Sequence, residues 1–335
     1  MIALSRVVGR LLAAGLLFAA AGAGAAGQPV KIGSSVRSIF SLPLYVADQK
    51  GYFKDEGLDA EVIFFNGGPP ATAALLGGSV QFISASLENQ IKVNKRGETV
   101  QSVMTMQSDF SGALVIKKEI ADKLGRAPTV ADVKGLRVGT LARGGYADMA
   151  ARYLFAKAGL DPDRDVSLIP VRGYDKVMAA AEEGSLDASL MVEPWQTLAV
   201  EGTGKWVYVV EMTRGQGPDV FQDMGYVTLQ TTHAVSDGQP ELTGKVVRAL
   251  VKAEAYIREP GNIDDLVQVA LKVFSNSDPG ALKASIQKQQ ASFRPALHDD
   301  MLAKNMDLLI VNGVVSPPAP EPREAFAGRY AELLQ

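Results

Sequence analysis

The residues best suited to bind a charged solute surround Arg143, where the chain reads ARGGY from 142 to 146. Arg143 supplies a full positive charge, and Gly144 and Gly145 form a turn before a helix that we expect to begin near Tyr146. A helix start leaves backbone N–H groups pointing outward with a partial positive charge, which suits an anion. An ordinary strand–helix connection with a solvated arginine is the alternative, so the rest of the chain must distinguish the two.

The elements on either side of this turn can be read from residue spacing. Leu136 and Val138 indicate a buried strand before the turn. After it, apolar residues recur at helical intervals and form one face, and Gly159 ends the helix. The residues of that face are Ala147, Ala150, Ala151, Leu154, Phe155 and Ala158.

The same order of elements occurs twice, starting at Val30 and again at Leu136. Each copy reads strand, loop, helix, Gly-Leu-Asp, strand, loop, helix, Gly-Ser, strand; the Gly-Leu-Asp triplets are 57–59 and 159–161. Alternating strands and helices predict an α/β fold with parallel sheets. Because ligands of such sheets bind at the carboxyl ends of the strands, two lobes should face each other across a hinged cleft.

The expected domains are residues 27–113 plus 227–335 for the first lobe and 114–226 for the second. Tyr226 to Gln230 alternates like a strand and should return the chain to the first lobe. Four helices should follow, and after a proline-rich connector a last helix should span 323–334. The four helices are expected at 242–258, 263–274, 278–289 and 299–312.

Candidate binding residues are those that follow the predicted strands. Ser38, Asn89 and Asp109 could instead cap helices or turns, and Trp195 could be core packing. The first-lobe candidates are Arg37, Ser38, Ile39, Phe40, Gly67, Gly68, Ser86, Glu88, Asn89 and Asp109, and the second-lobe candidates are Arg143, Gly144, Gly145, Tyr146, Tyr174, Glu193 and Trp195.

The first 26 residues have the pattern of a secretory signal peptide. Arg6 and Arg10 form a basic region, 11–21 is a short apolar run, and Ala23-Gly24-Ala25 matches a small-x-small cleavage pattern. A membrane span is the alternative, but the run is shorter than the roughly 20 residues a span needs. We expect an exported protein held in a bacterial periplasm. With no cysteine in the chain, no lipid anchor is expected.

Composition argues against several other functions. The 335 residues carry a formal charge of −3, and no basic stripe is visible, which disfavours nucleic acid as a partner. No cysteine excludes thiolate metal sites and disulfides, and the two histidines form no metal-binding motif. No nucleophile elbow, phosphate-binding loop or dinucleotide fingerprint is present. We therefore expect no catalytic residues, no metal and no cofactor.

Four further segments carry a resemblance to a known family. They are 44–47 with 51–58 (LYVA, GYFKDEGL), 78–82 (GSVQF), 133–139 (VKGLRVG) and 184–188 (GSLDA) leading to Glu193-Pro194-Trp195. In these the chain resembles the substrate-binding proteins of ABC importers of the nitrate, sulfonate and taurine group, which are related to binders of thiamine pyrimidine precursors.

That resemblance implies a type II periplasmic-binding fold, with two lobes joined by two crossings and a small solute between them. It implies an inner-membrane permease and its ATPase as partners of a monomer. The family's cleft residues correspond here to 38–40, 86–88 and 143–146. Arg143 departs from the commoner Gly-Ser-rich loop and would suit a carboxylate, sulfonate, taurine or nitrate. Glu193 would pair with a donor on the solute, or with Arg143 in an empty cleft.

Other functions remain open on the sequence alone. The solute could be a thiamine pyrimidine precursor or another heterocycle. Thiamine-pyrimidine synthases share the implied fold, but their Cys-rich segment has no counterpart here and a signal peptide argues against such an enzyme. A sensor that reports occupancy to a membrane receptor is the third alternative.

Overall fold

A computed structural model describes residues 27–335, so the expected signal peptide lies outside the described residues. The strands form two five-stranded sheets, one in each lobe. The strands are β1 Gln28–Ser34, β2 Leu58–Phe64, β3 Phe82–Ser86, β4 Val100–Gln107, β5 Gly112–Lys117, β6 Arg137–Thr140, β7 Ser167–Pro170, β8 Ala188–Val192, β9 Trp206–Glu211 and β10 Val227–Thr232.

The two sheets have the same layout, which confirms the predicted repeat. Their strand orders are β2-β1-β3-β10-β4 and β7-β6-β8-β5-β9. In each sheet, the three parallel strands of one repeat lie next to a strand, β10 or β5, that the chain enters after crossing from the other lobe. Because these crossing strands run the opposite way, β10 pairs antiparallel with β3 and β4, and β5 with β8 and β9. The expectation of purely parallel sheets was therefore wrong; both sheets are mixed.

Helices cover the sheets and fill the C-terminal third of the chain. Short 3-10 turns connect several of them, and a π-helical turn spans Leu198–Gly202. The helices are α1 Leu42–Gln49, α2 Tyr52–Asp55, α3 Gly68–Leu76, α4 Leu87–Asn94, α5 Lys118–Ala121, α6 Tyr146–Lys157, α7 Tyr174–Glu182, α8 Trp195–Thr197, α9 His233–Gly238, α10 Pro240–Arg258, α11 Ile263–Leu271, α12 Pro279–Gln289, α13 Asp300–Val311 and α14 Pro322–Ala325.

Helix α6 begins at Tyr146 as the spacing predicted. Its predicted apolar face is buried from Ala147 to Phe155. Asp148 in the first turn and Lys157 in the last turn stabilise the helix, because each carries the charge that interacts favourably with that end of the helix dipole. Packing of this face fixes where the preceding turn, with Arg143, meets the cleft.

The C-terminal helices touch both lobes. Helix α12 packs against the segment from Trp195 to Gly202, and α13 packs against α6, where the Tyr153 hydroxyl donates to Asp307 at 2.9 Å. The predicted last helix is interrupted: α14 ends at Ala325, and a 3-10 helix spans Gly328–Leu334.

Strand β5 begins two residues before residue 114, where the second lobe was expected to start; the division into lobes otherwise stays a prediction. Within residues 27–335, no helix has the length and hydropathy needed to cross a membrane.

Candidate functional site

A cavity of about 250 Å³ lies between the two lobes. Its walls are the loops that follow β1, β2 and β3 in the first lobe and β6, β7 and β8 in the second. These loops sit at the carboxyl ends of parallel strands, where open α/β sheets place their ligands. The size suits a small solute rather than a polymer.

Eleven of the predicted binding residues line this cavity. They are Phe40, Gly67, Gly68, Ser86, Glu88, Asn89, Arg143, Gly144, Gly145, Tyr146 and Tyr174. Contact of any of them with a solute stays a prediction.

Aromatic rings form much of the cavity wall. Tyr226 lies at the centre, with its ring centroid 4.8 Å from that of Tyr146 and 5.8 Å from that of Phe40. Phe110 packs behind Tyr146 and Tyr226. Burial raises the pKa of both tyrosines well above the ordinary value, as it does that of Tyr174. The hydroxyls therefore stay neutral, and the wall offers flat apolar faces with uncharged polar edges.

Glu88 is the buried charged residue of the cavity wall, with a side chain that is 1% exposed. It lies in the first turn of α4, and its Oε2 accepts bonds from the Asn89 backbone N–H at 2.7 Å and the Asn89 side-chain amide at 3.1 Å. Its Oε1 lies 3.4 Å from Lys92 Nζ, one helical turn on. The fold therefore places the Glu88 carboxylate in the cavity wall, next to a lysine of the same helix.

The turn before α6 differs from the anion-binding site that was expected there. Gly144 has a φ of +68°, which a glycine adopts without strain, and its N–H donates to the Asp148 carboxylate at 3.0 Å. Asp148 also pairs with Arg152 at 3.2 Å. The helix start thus carries its own negative charge, which competes with an incoming anion. Arg143 is exposed at the cavity and makes no ion pair with any side chain that the structure describes.

The expected pairing of Glu193 with Arg143 is not formed. The Glu193 side chain is fully buried, and its Oε1 accepts from Gln196 at 2.9 Å and Thr197 at 2.8 Å. Burial raises the pKa of this carboxyl, although Lys288 nearby opposes the shift. The carboxylate is turned away because α8 starts at Trp195, two residues on, and its Gln196 and Thr197 side chains donate to the carboxylate.

Lys288 of α12 anchors the same polar cluster. Its ammonium is buried and lies 2.5 Å from Glu201, 3.0 Å from Glu211 and 3.0 Å from the Tyr208 hydroxyl. A buried cation with several close acceptors is held firmly, because loss of one partner would leave charges unpaired. This cluster joins helix α12 of the C-terminal region to the second lobe.

The remaining predicted residues lie beside the cavity and outside its lining. Ser38 and Ile39 contact the Glu193 backbone, the first through its hydroxyl at 2.6 Å and the second through its N–H at 3.3 Å. Asp109 accepts a hydrogen bond from the Asp223 N–H at 2.7 Å and so ties one crossing to the other. Arg37 is exposed, with its guanidinium 4.8 Å from the Phe64 ring centre. Trp195 stacks near Tyr174, at 6.5 Å between centroids.

Tyr226 is the principal cavity residue that sequence reasoning missed. It immediately precedes β10, and only the antiparallel direction of that strand brings this amino-terminal end to the cavity. A reading that looks for sites after strands cannot find it. Other unpredicted lining residues are Ser35, Val36, Asn66, Pro69, Pro70, Leu141, Ala142, Ala147, Val192 and Val227.

Two lobes with equivalent mixed sheets, joined by two crossings around a small cavity, are the architecture of the periplasmic-binding-protein fold. Solved structures agree on the fold: the alkanesulfonate-binding protein SsuA of Xanthomonas axonopodis pv. citri, bound to MOPS, superposes with a TM-score of 0.71 at 16% identity, over 91% of this chain and 98% of that one.

Sequence comparison gives the family. The profile of the NMT1-like family matches residues 26–271, and the chain belongs to that family. It is 26% identical to the binding protein YtlA of Bacillus subtilis over 272 residues, 79% of this chain and 77% of that protein. It is also 26% identical to the riboflavin-binding protein RibY of Chloroflexus aurantiacus over 261 residues, 76% of this chain and 68% of that one. Both relatives are named as binding proteins.

Proposed function

We propose that this protein is the solute-binding component of an ABC importer and delivers a small solute to an inner-membrane permease and its ATPase. The observation that carries the proposal is the cavity between the lobes, with walls that come from the strand-end loops of both. The binding-protein relatives support it. No covalent step is part of this function.

The solute that the cavity suits best is small and zwitterionic. Arg143 offers a positive charge at an exposed position, and Glu88 a negative charge at a buried one. A simple anion such as nitrate would be drawn to Arg143 but repelled by Glu88 and by Asp148 at the α6 start. A solute with an anionic group and a donor group, of the taurine type, satisfies both ends.

Closure of the lobes over the solute depends on contacts that span the cleft. Lys92 Nζ of the first lobe lies 3.5 Å from the Gly144 carbonyl oxygen of the second, and the Tyr146 ring packs on Tyr226. A solute favours the closed form only as far as it adds contacts that the open form lacks. The permease would then recognise the closed shape.

A second candidate is a planar heterocycle. Phe40, Tyr146, Tyr174 and Tyr226 line the cavity, and flat rings stack well on such faces. The relative named for riboflavin binding favours the same class of solute. A heterocycle with ring N–H or amino groups would also find an acceptor in Glu88.

A thermal-shift screen tests the proposal and separates these classes. The panel contains nitrate, taurine and other sulfonates, aromatic carboxylates and pyrimidines. A true solute at 100 times its Kd should stabilise the protein by about 2.7 kcal/mol. Uptake by a strain lacking the gene then tests transport: loss of uptake, restored by the gene, supports an importer, whereas normal uptake with a lost signalling response indicates a sensor.

A further inference from the structure

Glu88 has an unusual position for a carboxylate. Its side chain lines the cavity yet is 1% exposed, so its oxygens need hydrogen-bond donors close by. Its Oε2 receives two hydrogen bonds from Asn89. The first turn of α4 favours a negative charge through the helix dipole. One oxygen is thus fixed by the protein itself.

The other oxygen is less well satisfied. Lys92 Nζ is 3.4 Å from Oε1, whereas charge-assisted N–H···O bonds are about 2.7–2.9 Å long. The same ammonium lies 3.5 Å from the Gly144 carbonyl oxygen, so Lys92 is shared between two distant acceptors. Oε1 can therefore accept a shorter bond from a group inside the cavity.

The surroundings of Glu88 favour a donor over an acceptor. Burial raises the pKa of both Tyr146 and Tyr226 most, a neighbouring tyrosine adds to each shift, and the Glu88 charge acts in the same direction as the smallest cause, so its field favours a positive group at this aromatic wall. Among the described lining residues, Arg143 carries the balancing positive charge, and it is exposed. An ammonium or ring N–H held by the tyrosine faces would be stabilised by this field.

We propose that Glu88 determines the chemical class of the solute by accepting a hydrogen bond from its ammonium, amino or ring N–H group. This inference rests on the proposed function, because it assigns a role within the same cavity. Lys92 is a competitor that partly neutralises Glu88 until the solute's donor takes the shorter contact. The role expected of Glu193 is thereby assigned to Glu88.

Matched pairs of solutes that differ in one donor test the assignment. Taurine and isethionate differ by an ammonium in place of a hydroxyl, as do 4-(aminomethyl)benzoate and 4-(hydroxymethyl)benzoate. Calorimetry measures the affinity ratio within each pair for the wild type, for Glu88→Gln and for Glu241→Gln. Glu241 is a matched control because it also lies in the first turn of a helix and pairs with a lysine four residues on, but its side chain is 84% exposed and does not line the cavity.

The wild type should prefer the amine member of a bound pair by about tenfold or more, the worth of a charge-assisted hydrogen bond. Glu88→Gln should bring that ratio close to one, and Glu241→Gln should leave it unchanged. An unchanged ratio in Glu88→Gln, or a wild-type preference for the alcohol member, would overturn the inference and leave the importer proposal standing. If no compound in these pairs or in the wider screen binds, the importer proposal itself fails.

A second variant covers the case in which Glu88→Gln does not fold. Lys92→Met removes the competitor while retaining Glu88, so the amine preference should rise by several-fold. Circular dichroism and the melting temperature establish that each variant is folded. A preference for the amine member that Lys92→Met leaves unchanged or lowers would contradict the assigned role of Glu88.

Discussion

The Ser38 hydroxyl donates a hydrogen bond to the Glu193 carbonyl oxygen at 2.6 Å, although the residues are 155 positions apart and follow strands of different sheets. The Ile39 N–H reaches the same carbonyl oxygen at 3.3 Å. Both Ser38 and Glu193 are fully buried. The loop after β1 is thus joined to the loop after β8 directly beside the cavity, and the two lobes are tied at that point.

Ser38→Ala should weaken solute binding modestly. The change removes one buried hydrogen bond between the lobes, which is worth about 1 kcal/mol, or roughly fivefold in affinity. Calorimetry on the variant and on Ser79→Ala, an exposed serine outside the cavity, gives the comparison. Equal affinities of the two variants would show that the Ser38–Glu193 hydrogen bond does not stabilise the solute-bound form of the protein.

Arg143→Ala should weaken an anionic or zwitterionic solute by about 1.5–3 kcal/mol, the range for hydrogen bonds to charged groups. Because Arg143 is exposed, the effect should shrink as salt is raised. Titrations at low and high ionic strength measure both trends. Arg164→Ala is the control, since that arginine is exposed and pairs with Asp161 outside the cavity lining. Unchanged affinity in Arg143→Ala would remove this residue from the site.

Gly68→Ala should disturb the acceptor Glu88 indirectly. A Cβ at Gly68 would lie 2.2 Å from Asn89 Nδ2, so the Asn89 side chain would have to move. Asn89 then loses its amide contacts with Ser86 at 3.0 Å and Glu88 at 3.1 Å. We expect a loss of affinity of about tenfold with a small change in melting temperature.

The matched control for that substitution is Gly238→Ala. A Cβ there meets no atom within 4 Å, and the residue lies outside the cavity lining. Its affinity should equal that of the wild type. Wild-type affinity in Gly68→Ala as well would mean that Asn89 adjusts without consequence for the cavity.

Glu254 should make stability depend on pH. Its side chain is fully buried in α10, neither oxygen has a hydrogen-bond partner among the described residues, and burial raises the pKa of its carboxyl well above the ordinary value of 4.5. Arg258, 3.9 Å away, opposes the shift only in part. Between the ordinary and the raised pKa, the native state binds the proton that the unfolded state has released. The free energy of unfolding therefore falls as pH rises through that window.

Glu254→Gln removes this titration. The variant should gain stability relative to the wild type as pH is raised from about 5 to 8, by at most about 1.4 kcal/mol per pH unit within the window between the ordinary and the raised pKa. Urea unfolding at both pH values measures the free energy of unfolding of the variant minus that of the wild type. Glu193 also titrates with a raised pKa, but it contributes equally to both proteins and cancels in this difference. A stability difference that does not change with pH would contradict the raised pKa.

Local patterns in the sequence were sufficient for the repeated units. The α6 boundary at Tyr146 and the two copies of the three parallel strands follow from residue spacing and glycine positions, which act over a few residues. The return of the chain at β10 was predicted, but the antiparallel direction of the crossing strands β5 and β10 was not, because it depends on packing between distant segments. That is also why Tyr226 was missed.

The orientation of side chains at the site was harder to predict than their position. Glu193 follows β8 as expected, but the polar groups of Gln196 and Thr197 turn its carboxylate away from the cavity. On sequence alone, Glu88 could be a helix cap or a binding group. In the structure it does both: it accepts a hydrogen bond from the Asn89 backbone N–H in the first helical turn, and it lines the cavity. The orientation of such side chains depends on the residues that pack around them in the folded protein, and a local stretch of sequence does not specify those residues.

A crystal structure of the protein with the solute selected by the thermal-shift screen tests the central claim most directly. The account predicts density for the solute inside the cavity between the lobes, against Tyr226, with a donor within hydrogen-bonding distance of Glu88 and any anionic group towards Arg143. A solute bound on the outer face of either lobe, with the cavity empty, would contradict it.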